Sequence, residues 1–277
     1  MPVAHLNDID IYYERYGENQ GTAPKLLFVN GSGATLAASQ PLLGLFAKDF
    51  DLVAHDQRGL GRTSIPDGPY TMAQYAADAA ALAEHLGWKT YSVVGVSFGG
   101  MVAQELAVTF PERLECLVLM CTSPGGDGGS SYPLHTLGSL DPSERAEIGL
   151  RILDQRFTPE WFENHPGDRM LSDAMAQRGG EKPADVVRGE TLQLQARSTH
   201  DVYHRLPAIT CATLVASGLY DGIAPASNGE AIAAQIEGAQ FRAYEGGHAF
   251  FYQDRSAFPD VIEFLLTRSR AGGRSIR

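Results

Sequence analysis

Short apolar runs alternate with helical patterns along most of this chain, and that alternation restricts its fold more than any other feature. The runs that predict buried strands are KLLFVN (25–30), FDLVAHD (50–56), YSVVGV (91–96), LECLVLM (114–120) and ATLVASG (212–218). Strands that alternate with helices form βαβ units, which build a mostly parallel sheet covered by helices. A hairpin across Asn7-Asp8 and a short strand near 239–246 bring the predicted α/β sheet to eight strands.

The alternation stops between about residues 124 and 207, where only helical patterns and glycine-rich linkage are visible. A long insertion after a sheet strand most often covers a ligand crevice. We therefore expect a core domain formed by residues 1–123 and 208–277, and a helical cap, or lid, formed by residues 124–207. The glycines between 125 and 129 indicate either a mobile hinge or a solvated connector.

Composition narrows the class of function. The chain has 277 residues, 44% of them hydrophobic, and a formal net charge of −11, which argues against binding nucleic acid through its phosphates.

The sequence shows no signal-peptide pattern, and its apolar runs are far shorter than the ~18–20 residues of a membrane span. We expect a cytoplasmic protein that does not bind membranes. Cys116, Cys121 and Cys211 lack metal-site spacing, and no metal ion is predicted.

The segment GVSFG (95–99) joins a predicted strand to a predicted helix. That context is what the G-x-S-x-G motif requires, since the serine then sits on a tight turn with its hydroxyl above the sheet edge. Gly95 and Gly99 avoid collisions across the turn, and Gly100 lets the helix approach the sheet. The structural alternative is a crossover that merely needs glycines. We predict that Ser97 is a nucleophile.

A serine hydroxyl needs a base and an orienting acid to react at neutral pH. His248 follows the last predicted strand on a glycine-containing loop, and Asp221 directly follows ATLVASG. The nearest rival carboxylates, Asp201 and Asp254, do not end a sheet strand. We predict a catalytic triad of Ser97, Asp221 and His248.

The same segments, in this order, resemble the α/β-hydrolase superfamily over nearly the whole chain. They are NGSG (30–33), DQRGLGRT (56–63), GVSFGG (95–100), GLYD (218–221) with Pro225, and GH (247–248). The likeness is greatest to the branch with a helical cap, which includes esterases, enol-lactonases, cofactor-free haloperoxidases and carbon–carbon bond hydrolases. The resemblance implies an α/β-hydrolase fold, a mostly parallel eight-stranded sheet flanked by helices with an inserted helical cap, and a reaction without a cofactor.

The resemblance also implies that the backbone N–H groups of Ser32 and Phe98 form an oxyanion hole. The chain departs from the family pattern at Asn30, where a histidine is usual, and at Thr63, where a serine is usual. A short polar side chain at Asn30 can still brace the loop.

Gly31, Met101 and Trp161 are candidate residues of the substrate pocket, with cap–core packing as the alternative for Trp161. No arginine or lysine stands out as a site for an anionic substrate, which favours a neutral one. We predict a serine hydrolase that cleaves a small to medium, fairly apolar carboxylic ester or lactone through an acyl-enzyme on Ser97.

Two other functions stay open. The first is a carbon–carbon bond hydrolase of a diketone-type ring-cleavage product. The second, from another class, is a ligand-sensing receptor-like protein with slow turnover. In each case the partner is a small molecule. A homodimer is also open, although no sequence feature argues for it.

Overall fold

The computed structural model describes residues 2–176 and 182–272, with side chains described as far as residue 268. The strands are β1 (Val3–Leu6), β2 (Ile9–Tyr16), β3 (Lys25–Val29), β4 (Asp51–His55), β5 (Tyr91–Val96), β6 (Leu114–Met120), β7 (Ala212–Gly218) and β8 (Gln240–Tyr244). The helices are α1 (Leu36–Phe46), α2 (Met72–His85), α3 (Phe98–Thr109), α4 (Pro142–Leu153), α5 (Pro159–Asn164), α6 (Pro166–Ala176), α7 (Ala184–Ser198), α8 (Ala226–Gln235), α9 (Phe250–Gln253) and α10 (Ala257–Gly272).

The eight strands form one sheet in the order β1-β2-β4-β3-β5-β6-β7-β8. β1 pairs antiparallel with β2, and β2 pairs antiparallel with β4. The remaining neighbours in this order, β4-β3-β5-β6-β7-β8, all pair in parallel. The predicted α/β class and the mostly parallel eight-stranded sheet are therefore confirmed. Because parallel strands end at the same sheet edge, the loops that follow β3, β5, β7 and β8 meet there.

Burial on both faces explains why the central strands read as continuous apolar runs. Every residue of β4 and β5 is buried. One hydrophobic cluster joins one face of the sheet to α2, α3 and α8, and a second joins the opposite face to α1 and α10. The helices thus cover the sheet on both sides, as a parallel sheet requires. None of the helices in the described part of the chain combines the length and apolar character that crossing a membrane requires.

The N-terminal hairpin was predicted from two turn-forming residues and is confirmed. Asn7 and Asp8 have positive φ angles of 50° and 61°. Two consecutive residues of this kind form the turn that matches the twist of an antiparallel pair, and Leu6 pairs with Ile9 across it.

Between β6 and β7 the described residues contain α4 to α7 and several 3-10 turns, and no sheet strand. We call residues 124–207 the inserted segment. Its two ends lie side by side, since Gly125 and Asp201 form an isolated antiparallel bridge and Val202 N donates to Pro124 O at 2.9 Å. The chain therefore leaves and rejoins the sheet at adjacent points.

The glycine row of the inserted segment forms a closely packed turn, which differs from the expectation of a solvated connector. Gly125 has φ 73°, and a Cβ at this position would lie 1.9 Å from the backbone oxygen of His200. A Cβ on Gly128 would lie 2.2 Å from the ring of Tyr203. These glycines allow the two ends of the segment to approach each other.

Candidate active site

Ser97, Asp221 and His248 come together at the edge where the parallel strands end. Ser97 follows β5, Asp221 lies in the loop after β7, and His248 lies in the loop after β8. The Nε2 atom of His248 is 2.9 Å from Ser97 Oγ, and its Nδ1 atom is 2.8 Å from Asp221 Oδ2. A hydroxyl, an imidazole and a carboxylate thus form one continuous chain of hydrogen bonds.

The backbone of Ser97 is held in an unusual conformation by the strand beside it. Its φ and ψ angles are 56° and −116°, a combination that costs a non-glycine residue free energy. Ser97 N donates to Met120 O at 2.8 Å, and the Thr122 hydroxyl donates to Ser97 O at 2.8 Å. These two bonds fix the turn that presents the hydroxyl.

Glycines make the turn sterically feasible, as predicted. A Cβ on Gly99 would lie 2.0 Å from Val29 O, and a Cβ on Gly95 would lie 2.4 Å from Gly99 O. A Cβ on Gly100 would lie 2.6 Å from Thr122 Cβ, so α3 rests directly on the segment after β6.

Replacing Gly99 with alanine should lower the free energy of unfolding by about 3 kcal/mol, the upper end of the usual overpacking cost, because the new methyl meets backbone that cannot move aside. Urea denaturation measures the change. The matched control is Gly149→Ala in α4, where the new Cβ meets nothing within 4 Å. The control should gain about 0.5–1 kcal/mol from reduced chain entropy. A Gly99→Ala protein as stable as the wild type would contradict the close contact with β3.

The carboxylate of Asp221 has a fixed orientation. The side chain is buried, and its Oδ1 atom accepts hydrogen bonds from Ile223 N at 2.7 Å and Ala224 N at 2.9 Å. Oδ2 is then left to face His248. Because an ionised carboxylate only accepts, the imidazole donates from Nδ1, and its Nε2 can accept the proton of Ser97.

The loop after β3 is braced through Asn30, as the sequence suggested. The Ser39 hydroxyl donates to Asn30 Oδ1 at 2.7 Å, and Gln57 Nε2 donates to the Asn30 carbonyl oxygen at 2.8 Å. These bonds hold the loop to α1 and to the loop after β4.

That loop lies directly against the turn at residue 97. A Cβ on Gly31 would lie 3.5 Å from Ser97 Cβ. Phe98 N–H is at the N-terminus of α3, where backbone donors have no partner within the helix. Within residues 2–176 and 182–272, neither Ser32 N–H nor Phe98 N–H has a hydrogen-bond acceptor.

The C-terminus of α4 contacts the loops that carry Asp221 and His248. His248 N donates to Leu153 O at 2.6 Å, Gly222 N donates to Ile152 O at 3.0 Å, and Gln155 N donates to Tyr220 O at 2.9 Å. Main-chain bonds from the inserted segment therefore hold both loops.

Trp161 lies in the packing of the inserted segment. Its ring stacks on the ring of His165, with 3.7 Å between the two ring centroids, and the Arg156 guanidinium carbon lies 4.6 Å from the Trp161 centroid. Its Nε1 donates to Asp168 Oδ2 at 2.8 Å. The packing alternative describes this residue better than the expectation that it lines a pocket, because its ring and its N–H are both occupied by neighbours.

Met101, one turn after Ser97, lines a cavity of about 120 Å³ between α3 and the inserted segment. The residues that line the cavity are Met101, Ser123, Gly125, Ser130, Ser131, Pro133, His135, Arg197, Ser198 and His200. The cavity is polar on the side of the inserted segment, which the expectation of an apolar pocket did not include.

Sequence reasoning missed the polar buried face of α7. Gln193 and Arg197 are buried, and Gln193 Oε1 accepts from Gly33 N at 2.8 Å. His200, just past the helix, is buried too. Residues spaced by four and then three positions lie on one face of a helix, so the sequence could have grouped these three side chains. Their burial could not be predicted in this way, because a polar helix face usually lies toward solvent. In the part of the chain that the structure describes, no three His, Cys, Asp or Glu side chains are grouped so that they could hold a metal ion.

Comparison with known proteins adds three findings. The family model described as "alpha/beta hydrolase fold" matches residues 24–254. A 3-oxoadipate enol-lactonase of Acinetobacter baylyi is 27% identical over 97% of this chain and 99% of its own length, and a poly(3-hydroxyalkanoate) depolymerase of Ectopseudomonas oleovorans is 30% identical over 88% and 85%. The crystal structure of the enol-lactonase from Burkholderia xenovorans LB400 has the same fold, with a TM-score of 0.78, 24% identity, and coverage of 96% of this chain and 100% of that one.

Proposed function

The chain belongs to the α/β-hydrolase fold family, and on that premise we propose that it is a serine hydrolase that cleaves a carboxylic ester or lactone through an acyl-enzyme on Ser97. The observation that carries the proposal is the chain of hydrogen bonds from Ser97 Oγ through His248 to Asp221. The three side chains lie on separate loops, so their convergence requires the whole fold.

The arrangement supports a two-step reaction. His248 Nε2 accepts the Ser97 proton as Oγ attacks the carbonyl carbon, and the imidazolium that forms is stabilised by Asp221. The protonated imidazole then gives its proton to the leaving alcohol, which departs and leaves an acyl-enzyme. Water, deprotonated by His248, attacks the acyl-enzyme, and the acid is released with Ser97 restored.

The negative oxygen of each tetrahedral intermediate needs donors near Ser97. In the proposed mechanism these are the backbone N–H groups of Phe98 and Ser32, both without an acceptor among the described residues. Donors of this kind typically stabilise the transition state by about 2.7–4 kcal/mol each. Gln193, which accepts from Gly33 N, supports the loop that carries Ser32.

The similar proteins support an ester bond as the target. An enol-lactone is a cyclic ester, and a poly(3-hydroxyalkanoate) is joined by ester bonds, so the enzymes named for both cleave bonds that this triad would cleave. In our proposal the core binds the reacting carbonyl, and the inserted segment (124–207) is the cap that encloses a small-molecule substrate.

Labelling with a fluorophosphonate tests the proposal. The reagent should modify Ser97 stoichiometrically, as mass spectrometry of the tryptic peptide would show, and His248→Ala should label far more slowly because the hydroxyl loses its base. The labelled protein should no longer cleave 4-nitrophenyl acetate or butyrate.

Other outcomes would separate the alternatives. A folded wild-type protein that resists labelling contradicts the proposal. Turnover of a diketone-type ring-cleavage product together with inactivity on esters would indicate the carbon–carbon bond hydrolase. Labelling without turnover, joined to a large stabilisation by a ligand, would indicate the receptor-like protein.

A further inference from the structure

Arg197 is a buried arginine with almost no protein partner. Arg197 is only 5% exposed. Within the described residues, its guanidinium makes a single hydrogen bond, from Nη1 to Tyr132 O at 2.7 Å. Nε is buried without an acceptor. Buried charges are normally paired, because an uncompensated charge is costly to remove from water.

No anion of the described chain neutralises this guanidinium. It forms no salt bridge with a carboxylate of residues 2–176 or 182–272. Burial lowers the pKa of Arg197 to about 10, partly opposed by the charge of Asp221, so the group stays cationic at neutral pH. Asp221 is already occupied by two backbone donors and His248.

The cavity that Arg197 lines is suited to an anion. Its ten lining residues include no aspartate or glutamate. His200, which lines the same cavity, is buried as well, and burial lowers the pKa of its imidazole to about 4. His200 is therefore neutral near pH 7 and does not compete with the Arg197 guanidinium for a carboxylate. The other polar residues that line the cavity are Ser123, Ser130, Ser131, His135 and Ser198.

A short series of hydrogen bonds links Arg197 to the triad. Tyr132, whose O accepts from Arg197 Nη1, donates from its N to Ile223 O at 2.7 Å, and Ile223 N donates to Asp221 Oδ1 at 2.7 Å. Met101, which lines the cavity, is one helical turn from Ser97. Gln193, one turn before Arg197 on α7, contacts the loop after β3 at Gly33.

We propose that Arg197 binds a carboxylate of the substrate, so that this enzyme prefers an ester or lactone whose acid portion carries a second, ionised carboxyl group. The inference rests on the proposed function, and it differs from the sequence expectation of a neutral, fairly apolar substrate. A guanidinium binds a carboxylate through two parallel N–H donors, which orients as well as attracts it. A neutral substrate would leave the buried cation unpaired, and such sites discriminate strongly.

Two esters of similar shape test this. The wild type should show a higher kcat/KM for the mono-4-nitrophenyl ester of glutaric acid than for 4-nitrophenyl pentanoate. In Arg197→Gln the ratio of the two kcat/KM values should fall roughly 10- to 100-fold, the size of a lost charge-assisted hydrogen bond. Arg197→Lys, which keeps the charge but not the two-donor geometry, should give an intermediate ratio. The control Arg151→Gln, an exposed arginine of α4, should leave the ratio unchanged.

A binding measurement separates this inference from the proposed function. Glutarate should raise the melting temperature of Ser97→Ala, glutaramide should not, and Arg197→Gln should abolish the shift. This readout needs no turnover, so it holds even if Ser97 is not the nucleophile. An unchanged substrate ratio in a folded Arg197→Gln protein, or equal shifts with glutarate and glutaramide, would overturn the inference. If Arg197→Gln does not fold, two other measurements test the inference. An Arg197→Lys substrate ratio equal to that of the wild type, or equal inhibition of the wild type by glutarate and glutaramide, would overturn it.

Discussion

Replacing Ser97 with alanine should lower kcat for ester hydrolysis by roughly 10⁴- to 10⁶-fold, because the substitution removes the atom that forms the acyl-enzyme in the proposed mechanism. The fold should be retained, since a methyl group fits where the buried hydroxymethyl was and both backbone bonds of residue 97 remain. Steady-state kinetics with 4-nitrophenyl esters measures the loss, and circular dichroism checks the fold.

Two further variants sharpen this prediction. His248→Ala and the double variant Ser97→Ala/His248→Ala should lose about as much activity as Ser97→Ala alone, because residues that act as a unit are not additive. Ser139→Ala, which changes an exposed serine of the inserted segment, should stay within about twofold of the wild type. Retention of a tenth of the activity by Ser97→Ala would exclude this serine as the nucleophile.

Asp221→Asn should lower kcat by about 10⁴-fold, because it stabilises the wrong tautomer of His248. Oδ1 accepts from Ile223 N and Ala224 N, so an asparagine must keep its carbonyl oxygen there and turn its NH₂ toward His248 Nδ1. Nδ1 must then accept, and the imidazole proton moves to Nε2, which can no longer take the proton of Ser97. Pre-steady-state kinetics should place the loss in acylation.

The matched control is Asp201→Asn, since Asp201 is an alternative carboxylate in the sequence but lies at the exposed base of the inserted segment. Its Oδ1 accepts from Tyr203 N, a bond that the amide oxygen of asparagine can keep. Activity within about twofold of the wild type is expected. Equal losses in both variants would show that Asp221 has no special relation to the imidazole.

Much of the sheet could be predicted from sequence, because strands buried on both faces must be apolar throughout. YSVVGV and ATLVASG coincide with β5 and β7 at both ends. Once parallel strands are placed, the residues that follow them lie at one edge, so Ser97, Asp221 and His248 could be expected to meet without any knowledge of side-chain positions.

The surroundings of the triad could not be predicted in the same way. α7 has mixed composition, and only its position over the loop after β3 makes Gln193 and Arg197 buried residues. The turn at Gly125 has the composition of a flexible link, yet its backbone packs against His200. In both cases the residues are buried by parts of the chain that are distant in sequence. Their burial therefore depends on how the inserted segment packs against the sheet, which composition does not reveal.

The main-chain bonds at the C-terminus of α4 also tie the inserted segment to the loop that carries His248. Any displacement that carries Leu153 away from the sheet edge breaks its bond to His248 N and frees the loop that aligns the imidazole. In the mechanism that we propose, a movement of the inserted segment that admits a substrate would therefore also displace the base. A chimera that exchanges the inserted segment with that of a relative must reproduce the carbonyl positions of Ile152 and Leu153, whatever side chains it brings.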